Sequence, residues 1–260
     1  SLKISAPKNC IDTCGTGGDM KGTLNISTAS ALVAASAGAC VAKHGNRAIS
    51  SKSGSADMLE KLGLKLTSDI KELESSLKNK NFCFLFAQYH HEAMKHVINI
   101  RKQLETRTIF NLLGPLTNPA SAKKQLLGVF EKKWLNIHCQ VLKDLGSTRA
   151  MVVHGMDGLD EISLSAPTQI SELKDQKIMH YIFDPKEYGY QYIKIEDILG
   201  GDAEYNAKSF LDLLENPNNS FQKIIELNAG AAVYLAGITK TIKEGFQKVH
   251  HLIESGKTKN

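Results

Sequence analysis

The sequence lacks the features of a disulfide-bonded, zinc-binding or membrane-embedded protein. Its 260 residues contain five cysteines, an odd number, and no CxxC pair. A disulfide framework or a structural zinc site is therefore not expected. No apolar run approaches the roughly 20 residues of a membrane span, and the first residues carry no signal-peptide core. These absences predict a protein of the reducing cytoplasm without a membrane partner.

The charged residues form no block of one sign. The 32 basic residues exceed the 27 acidic ones and give a formal net charge of +5, but they are scattered without Arg-rich or aromatic-interleaved segments. We therefore expect no nucleic-acid partner. Solvated lysines on helix faces account for most of this charge, and the remainder is compatible with small anionic substrates.

Several nucleotide-binding and catalytic motifs are also missing. The chain contains no GxxxxGK[ST] phosphate loop, no GxGxxG dinucleotide loop and no GxSxG nucleophile turn. ATP, NAD and covalent serine catalysis are therefore not indicated.

Two glycine-bearing loops are present near the N-terminus, GTGGD at 15–19 and KHGNR at 43–47. Each follows a short apolar run and precedes a helical pattern, and two such units in tandem predict a parallel sheet with both loops at its carboxyl edge. Lys43 and Arg47 can neutralise phosphate charge there. For GTGGD alone, a tight strand-to-helix turn explains the glycines equally well. The two loops together favour a phosphate or pyrophosphate site.

The hydrophobic pattern predicts an α/β fold with a mixed, mostly parallel central sheet flanked by helices. Within 88–118 two helical patterns follow each other without a strand, which predicts a small helical layer. We assign residues 1–86 and 119–260 to the α/β domain and 87–118 to the helical part. The predicted helices are 29–37, one capped by Ser53 or Ser55 and ending at Gly63, 69–78, 91–101, 108–113, 132–144, 204–215, 219–237 and 240–255. The predicted strands are 39–42, 82–86, 149–153, 162–164 and 178–183, the last two as an antiparallel extension.

Two further groups of residues carry possible chemistry. The adjacent carboxylates Asp160 and Glu161 follow a strand in a glycine-bearing loop, where both can turn toward one Mg²⁺ ion; an exposed acidic turn is the alternative. His91 and Arg101 share one helical stripe with Met94 and Ile98, so they could face a carboxylate substrate. A surface arginine and a histidine at the edge of the core would give the same pattern.

The motifs GTGGD, NIST, KHGNR, SSKSGSAD, RTIFNLLGPLTNPA and VVHGMDGLDEIS occur in this order and closely resemble those of anthranilate phosphoribosyltransferases. The resemblance extends from about residue 11 to the helix after LNAGAA. It implies transfer of phosphoribose from 5-phosphoribosyl-1-pyrophosphate (PRPP) to the amine of anthranilate, in tryptophan biosynthesis. It also implies an α/β domain beside a small helical domain, as in pyrimidine nucleoside phosphorylases.

The resemblance further implies roles for individual residues. Lys43, Asp160 and Glu161 would be catalytic, and Mg²⁺, expected as two ions, would bind Ser27, Asp160 and Glu161. PRPP would be held by Gly15, Gly18, Asp19, Thr23, Asn25, Ser27, Thr28, Lys43 and Ser55. Anthranilate would meet Gly15, His44, Asn46, His91, Arg101, Gly114 and Pro115, with Arg101 on its carboxylate. The leaving pyrophosphate would be stabilised by Mg²⁺, Lys43 and the helix N-terminus at Ser27.

Two departures from the family pattern change these expectations. The family carries additional helices before the first glycine loop, which form most of the helical domain and the usual homodimer contact. This chain begins shortly before that loop, so we expect the N-terminal part of the helical domain to be missing, by truncation or naturally, and dimerisation to be affected. Met94 stands where many relatives have Tyr.

Two other functions remain open on the sequence alone. A pyrimidine nucleoside phosphorylase of the same fold would be expected to carry KHSGR in place of KHGNR. A non-catalytic nucleic-acid-binding relative would be expected to have lost the acidic pair and gained a basic patch.

Overall fold

The computed structural model describes residues 2–48, 52–91, 108–217 and 219–257, and it contains one seven-stranded sheet. The strands are β1 (Ile11–Thr13), β2 (Val41–Gly45), β3 (Phe82–Phe86), β4 (Lys124–Gly128), β5 (Arg149–Gly155), β6 (Thr168–Lys174) and β7 (Lys177–Phe183). Their spatial order is β3-β2-β1-β4-β5-β6-β7. The first five are parallel, whereas β6 and β7 are antiparallel to their neighbours. The mixed, mostly parallel sheet is therefore confirmed.

The central strands are apolar along most of their length because helices cover both faces of the sheet. Every residue of β3, FCFLF, is buried. The helices are α1 (Ile26–Ser36), α2 (Ser55–Lys61), α3 (Ile70–Lys80), α4 (Ala87–His90), α5 (Ile109–Leu113), α6 (Trp134–Asp144), α7 (Ala203–Glu215), α8 (Ser220–Ala236) and α9 (Ile242–Glu254).

The small residues of α1 and α8 place these two helices in the centre of the molecule. Ala29, Ala31, Ala229 and Ala231 are fully buried in the main core cluster. Small side chains allow backbones to approach closely, so both helices pack firmly against the sheet and each other. The N-terminus of α1 consequently lies at the carboxyl edge of β1.

The strand predictions need four corrections. The run 162–164 is not a strand, although Ile162 and Leu164 are fully buried. β4 and β6 were not predicted, because charged and polar residues interrupt both. β2 continues to Gly45, so Lys43 and His44 belong to the strand end and not to a loop.

Residues 92–107 lie outside the described part of the chain, and with them Met94, Ile98 and Arg101. The predicted division into an α/β domain and a helical part at 87–118 therefore stays a prediction. Within the described ranges, every helix is too short or too polar to cross a lipid bilayer.

Candidate active site

The GTGGD loop lies against the end of β4. The N–H of Thr16 donates to the Gly128 carbonyl at 2.9 Å, and the Thr16 hydroxyl accepts from the Phe130 N–H at 3.2 Å. Gly17 and Gly18 have positive φ angles of 62° and 79°, a conformation that glycine adopts without strain. The loop following β1 is thus held against the neighbouring strand β4.

The loop following β5 approaches the same place. A Cβ atom on Gly128 would overlap the carbonyl oxygen of Asp160, and one on Gly15 would lie 3.3 Å from the Asp160 carboxylate. Glycine at both positions lets this backbone pass directly over the ends of β1 and β4. Asp157 shapes the loop by accepting from the Leu159 N–H at 3.1 Å and the Ser163 hydroxyl at 2.6 Å.

The Asp160 carboxyl lies among other acidic groups. Burial raises its pKa well above the usual value, and the nearby Asp19 and Glu161 raise it further, while the Gly17 N–H acts in the opposite direction. A group of like charges in a partly enclosed site favours either protonation or a bound cation.

Glu161 is directed at the N-terminus of α1. Burial raises its pKa, and Asp19 adds to the shift, whereas Lys43 and hydrogen bonds from the Ser27 N–H and hydroxyl lower it. Asn25, the N-cap residue, makes no side-chain capping bond. A carboxylate from a distant loop therefore occupies this helix end, which was expected to face pyrophosphate.

Lys43 is the buried cation of the site. Its side chain is only 2% exposed, and Nζ donates to the Thr13 carbonyl at 2.6 Å and the Ser27 hydroxyl at 3.3 Å. Burial lowers the pKa of the ammonium, while Asp12 and Glu161 raise it. Lys43 thus contacts one predicted cation ligand, Ser27, and lies close to another.

Asp12 is buried beneath this cluster but is satisfied by the protein. Its carboxylate accepts from the His44 N–H at 3.1 Å and from Asn118 Nδ2 at 2.7 Å. Asp12, Cys14 and His44 bring potential ligand atoms within 4.8 Å of one another. Because both Asp12 oxygens are already hydrogen-bonded, we interpret this group as structural.

The remaining predicted PRPP residues surround the loop less directly. Thr23 forms an isolated bridge with Leu199, and Thr28 is buried within α1. Asn25 accepts from Ser53 at 3.1 Å and Asn206 at 2.8 Å. The Ser55 hydroxyl donates to the Asn46 carbonyl.

Two of the predicted acceptor residues, His44 and His91, meet beside the end of β2, whereas Arg101 lies outside the described residues. His44 Nε2 and His91 Nε2 lie 3.1 Å apart, so one ring donates and the other accepts. Burial, followed by the neighbouring His91, lowers the pKa of His44 to about 3. The imidazole of His44 is therefore neutral at physiological pH.

Asn46 and Arg47 differ in their partners. Asn46 Oδ1 accepts from Gln88 Nε2 at 3.1 Å, which ties the end of β2 to α4. Arg47 pairs with Asp57 at 2.8 Å and Glu60 at 2.6 Å, two acidic residues of α2. The expectation that Arg47 neutralises phosphate therefore finds no support in its geometry.

Three residues without a role in the sequence-based expectations connect the parts of the site. Asn111 of α5 donates to the Thr16 carbonyl at 3.4 Å, and Gly114 and Pro115 follow this helix. Asn118 contacts Asp12 and the Ala42 carbonyl, joining β1 to β2. Gly128 supports the acidic loop. These three hydrogen bonds span 76 or more positions, so no local pattern could reveal them.

Comparison with known proteins agrees with this geometry. Residues 7–259 match the model of the glycosyl transferase family, a/b domain. The chain is 50% identical over 246 residues to the anthranilate phosphoribosyltransferase of Thermoanaerobacter sp. (strain X514), covering 95% of this chain and 73% of that protein. For the enzyme of Alkaliphilus metalliredigens the identity is 47%, with 98% and 75% covered.

Solved structures give the same result. The crystal structure of the Thermus thermophilus anthranilate phosphoribosyltransferase superposes with a TM-score of 0.92 at 41% identity, covering 99% of this chain and 77% of that one. The Saccharomyces cerevisiae enzyme in complex with PRPP and Mg superposes with a TM-score of 0.89 at 29% identity, with 99% and 73% covered. The chain therefore belongs to the anthranilate phosphoribosyltransferase family.

Proposed function

We propose that this chain transfers the 5-phosphoribosyl group of PRPP to the amine of anthranilate, giving N-(5-phosphoribosyl)anthranilate and pyrophosphate. The observation that carries the proposal is the convergence of the GTGGD loop, the N-terminus of α1 and the Asp160–Glu161 pair at one edge of the sheet. The yeast relative, solved in complex with PRPP and Mg, supports the same substrate and ion.

The donor set fits Mg²⁺. Asp19, Asp160 and Glu161 bring three carboxyl groups together, and the pKa values of the last two are raised by burial and by their acidic neighbours. Oxygen ligands of this kind suit Mg²⁺, and Ser27 adds a hydroxyl beside Glu161. We assign Ser27, Asp160 and Glu161 to the metal site and propose two ions. When bound, Mg²⁺ would neutralise charge on the departing pyrophosphate.

The chain's own groups position the donor. The backbone of the glycine loop would face the phosphates, and Gly15 lets the ligand approach that backbone closely. Lys43 adds a fixed positive charge next to Ser27. We propose that PRPP is held by Gly15, Gly18, Asp19, Thr23, Asn25, Ser27, Thr28, Lys43 and Ser55.

The acceptor lies beside the histidine pair in this scheme. A neutral His44 accepts or donates a hydrogen bond without placing a positive charge next to the amine nucleophile. With a pKa of about 3 it is a weak base, which suits an amine that already has a free lone pair. We propose that anthranilate meets Gly15, His44, Asn46, His91, Arg101, Gly114 and Pro115.

The reaction then needs little proton transfer. The amine nitrogen attacks C1 of the ribose, the bond from C1 to the pyrophosphate oxygen breaks, and the new secondary amine releases one proton. Positive charge grows on the ribose ring as pyrophosphate departs. The protein therefore contributes mainly by positioning the two substrates and stabilising the leaving group.

We also propose a domain organisation, an oligomeric state and a cellular location from the membership in this family. Residues 87–118 would belong to a small helical domain, and the homodimer usual in the family would use helices of that domain. The reaction would take place in the cytoplasm, consistent with the five free cysteines.

A fluorescence assay tests the proposal. Anthranilate fluorescence should fall when PRPP and Mg²⁺ are added to the protein, and it should stay constant when EDTA replaces Mg²⁺. Constant fluorescence in the complete mixture, together with thymidine phosphorolysis or oligonucleotide binding, would overturn the proposal in favour of the phosphorylase or the nucleic-acid-binding relative.

A further inference from the structure

Asn228 is a fully buried polar residue of α8 whose side chain contacts another part of the chain. Its Oδ1 accepts from the Ile162 N–H at 3.0 Å, and its Nδ2 donates to the Ile162 carbonyl at 2.9 Å. The second Nδ2 proton goes to the Ile224 carbonyl, also at 2.9 Å. The amide therefore binds both backbone polar groups of a single residue 66 positions away.

Ile162 directly follows the acidic pair. On the other side of the pair, the Asp160 carbonyl rests on Gly128, where a Cβ atom would overlap it. Two elements thus restrain the backbone of Asp160 and Glu161. Gly128 of β4 contacts the Asp160 carbonyl, and Asn228 of α8 bonds to the residue that follows the pair. Asn228 also borders the small space that Gly15, Ser27 and Glu161 line.

α8 is a rigid support for this contact. Leu227 and Ala229, on either side of Asn228, are 0% exposed, and the helix packs between α1, α9 and the sheet. An unsatisfied amide at such a position would be costly, so the side chain has one strongly preferred arrangement. That arrangement fixes where Ile162, and hence the pair, can lie.

We propose that Asn228 is a positioning residue, which clamps the backbone of Ile162 so that Asp160 and Glu161 face the metal and pyrophosphate site. The inference rests on the proposed function, because that function assigns Mg²⁺ binding to the pair. It gives a role to the LNAGAA segment, for which the sequence alone indicated none.

The test compares Asn228→Leu with a matched control on the same helix. Gln222 is also buried, and its amide donates to Glu226 at 2.7 Å and Glu254 at 3.3 Å, neither of which belongs to the acidic loop. Gln222→Met therefore removes a buried amide of similar kind without touching Ile162. Both variants should lower the Tm, since each leaves buried polar groups with fewer partners.

Only Asn228→Leu should change metal binding. Mn²⁺ binding in the presence of pyrophosphate, followed by electron paramagnetic resonance, should weaken by about tenfold or more, as for other groups that orient metal ligands. The Mg²⁺ concentration for half-maximal activity should rise in parallel, with the KM for anthranilate unchanged. Equal Mn²⁺ binding in the two variants would overturn the inference.

Two further measurements cover the remaining outcomes. If Asn228→Leu does not fold, Asn228→Ser, whose side chain is too short to reach Ile162, should show the same loss of Mn²⁺ binding and faster exchange of the Ile162 amide hydrogen. If Asn228→Ser binds Mn²⁺ as tightly as the wild type does, the inference about Asn228 is overturned and the proposed function is not. A wild-type protein that binds no Mn²⁺ with pyrophosphate would overturn the proposed function as well.

Discussion

Two acidic sites lie at the same edge of the sheet and differ in their partners. Asp12 is fully buried, yet the His44 N–H and the Asn118 amide donate to its carboxylate. Asp160 and Glu161 are partly exposed and have each other and Asp19 as neighbours. Both carboxylate oxygens of the first site have hydrogen-bond donors from the protein, whereas the second site gathers several negative charges close together.

This difference separates a structural carboxylate from one suited to a cation. Burial costs a charged group free energy unless hydrogen bonds or opposite charges compensate it. For Asp12 the compensation comes from donors on segments that it thereby joins. For the acidic pair it comes in part from Lys43 and Ser27, and a divalent ion would supply the rest.

Removing both carboxyl groups of the pair should have the largest effect. Asp160→Asn with Glu161→Gln should lower kcat/KM by about 10³-fold or more, because the charge on the leaving pyrophosphate would lose its metal. The unfolding free energy of the ligand-free protein should not fall, since two neighbouring like charges are removed. Steady-state kinetics and denaturant unfolding check both statements; unchanged activity would contradict the assignment.

A methyl group beneath the loop should have the next largest effect. In Gly128→Ala the new Cβ would overlap the Asp160 carbonyl oxygen, so the acidic loop must move. A shift of about 1 Å in a catalytic group costs roughly 10²-fold in rate. We expect kcat with PRPP to fall by that amount while far-UV circular dichroism is unchanged. Gly63→Ala provides a control for a glycine substitution outside the site, although its positive φ will itself cost stability.

The titration of Asp12 should be visible in the pH dependence of the unfolding free energy. Burial raises its pKa from 3.8 to about 6, so the folded state binds the proton more tightly than the unfolded state does. Its unfavourable contribution is complete above pH 6 and is relieved as the pH falls toward 3.8. Relative to Asp12→Asn, the wild type should gain about 1 kcal/mol of unfolding free energy between about pH 7 and 5. Parallel curves for the two proteins would show that Asp12 does not titrate in this range.

Substitution of Arg47 should have the smallest effect on stability and activity. Its ion pairs with Asp57 and Glu60 are partly exposed, with 43% of the arginine side chain accessible. Arg47→Ala should therefore lower the unfolding free energy by about 1 kcal/mol or less. The KM for PRPP should not change, because the guanidinium is already paired with two carboxylates of α2. A large increase in that KM would place Arg47 among the phosphate ligands after all.

Much of the fold could be predicted wherever one residue type recurs locally. The apolar run of β3, the small residues of α1 and Gly63 after α2 predicted elements that the structure contains. β6 was missed because its sequence, TQISELK, alternates with polar residues. Its Glu172 is buried but accepts hydrogen bonds from Tyr181 and Tyr234, partners that no local pattern predicts.

The opposite error occurred at 162–164. Ile162 and Leu164 are apolar and fully buried, which suggested a strand. The backbone of this run instead bonds mainly to side chains, because the Ile162 N–H donates to Asn228 and the Ser163 N–H donates to Thr168. The Leu164 carbonyl accepts from the Ile193 N–H outside any strand. Burial and strand pairing are separate properties. The pattern of apolar residues predicts burial, but it does not predict whether the backbone pairs with another strand.

The sequence by itself determined which chemical groups are present and that two glycine loops would end adjacent parallel strands. It also carried enough ordered motifs to indicate the family. Only the tertiary structure decided which acidic groups are satisfied, because the donors to Asp12 and the supports of Asp160 come from distant segments. Hydrogen bonding and close packing act between neighbours in space, so Asn118, Gly128 and Asn228 acquire their roles only when the chain folds.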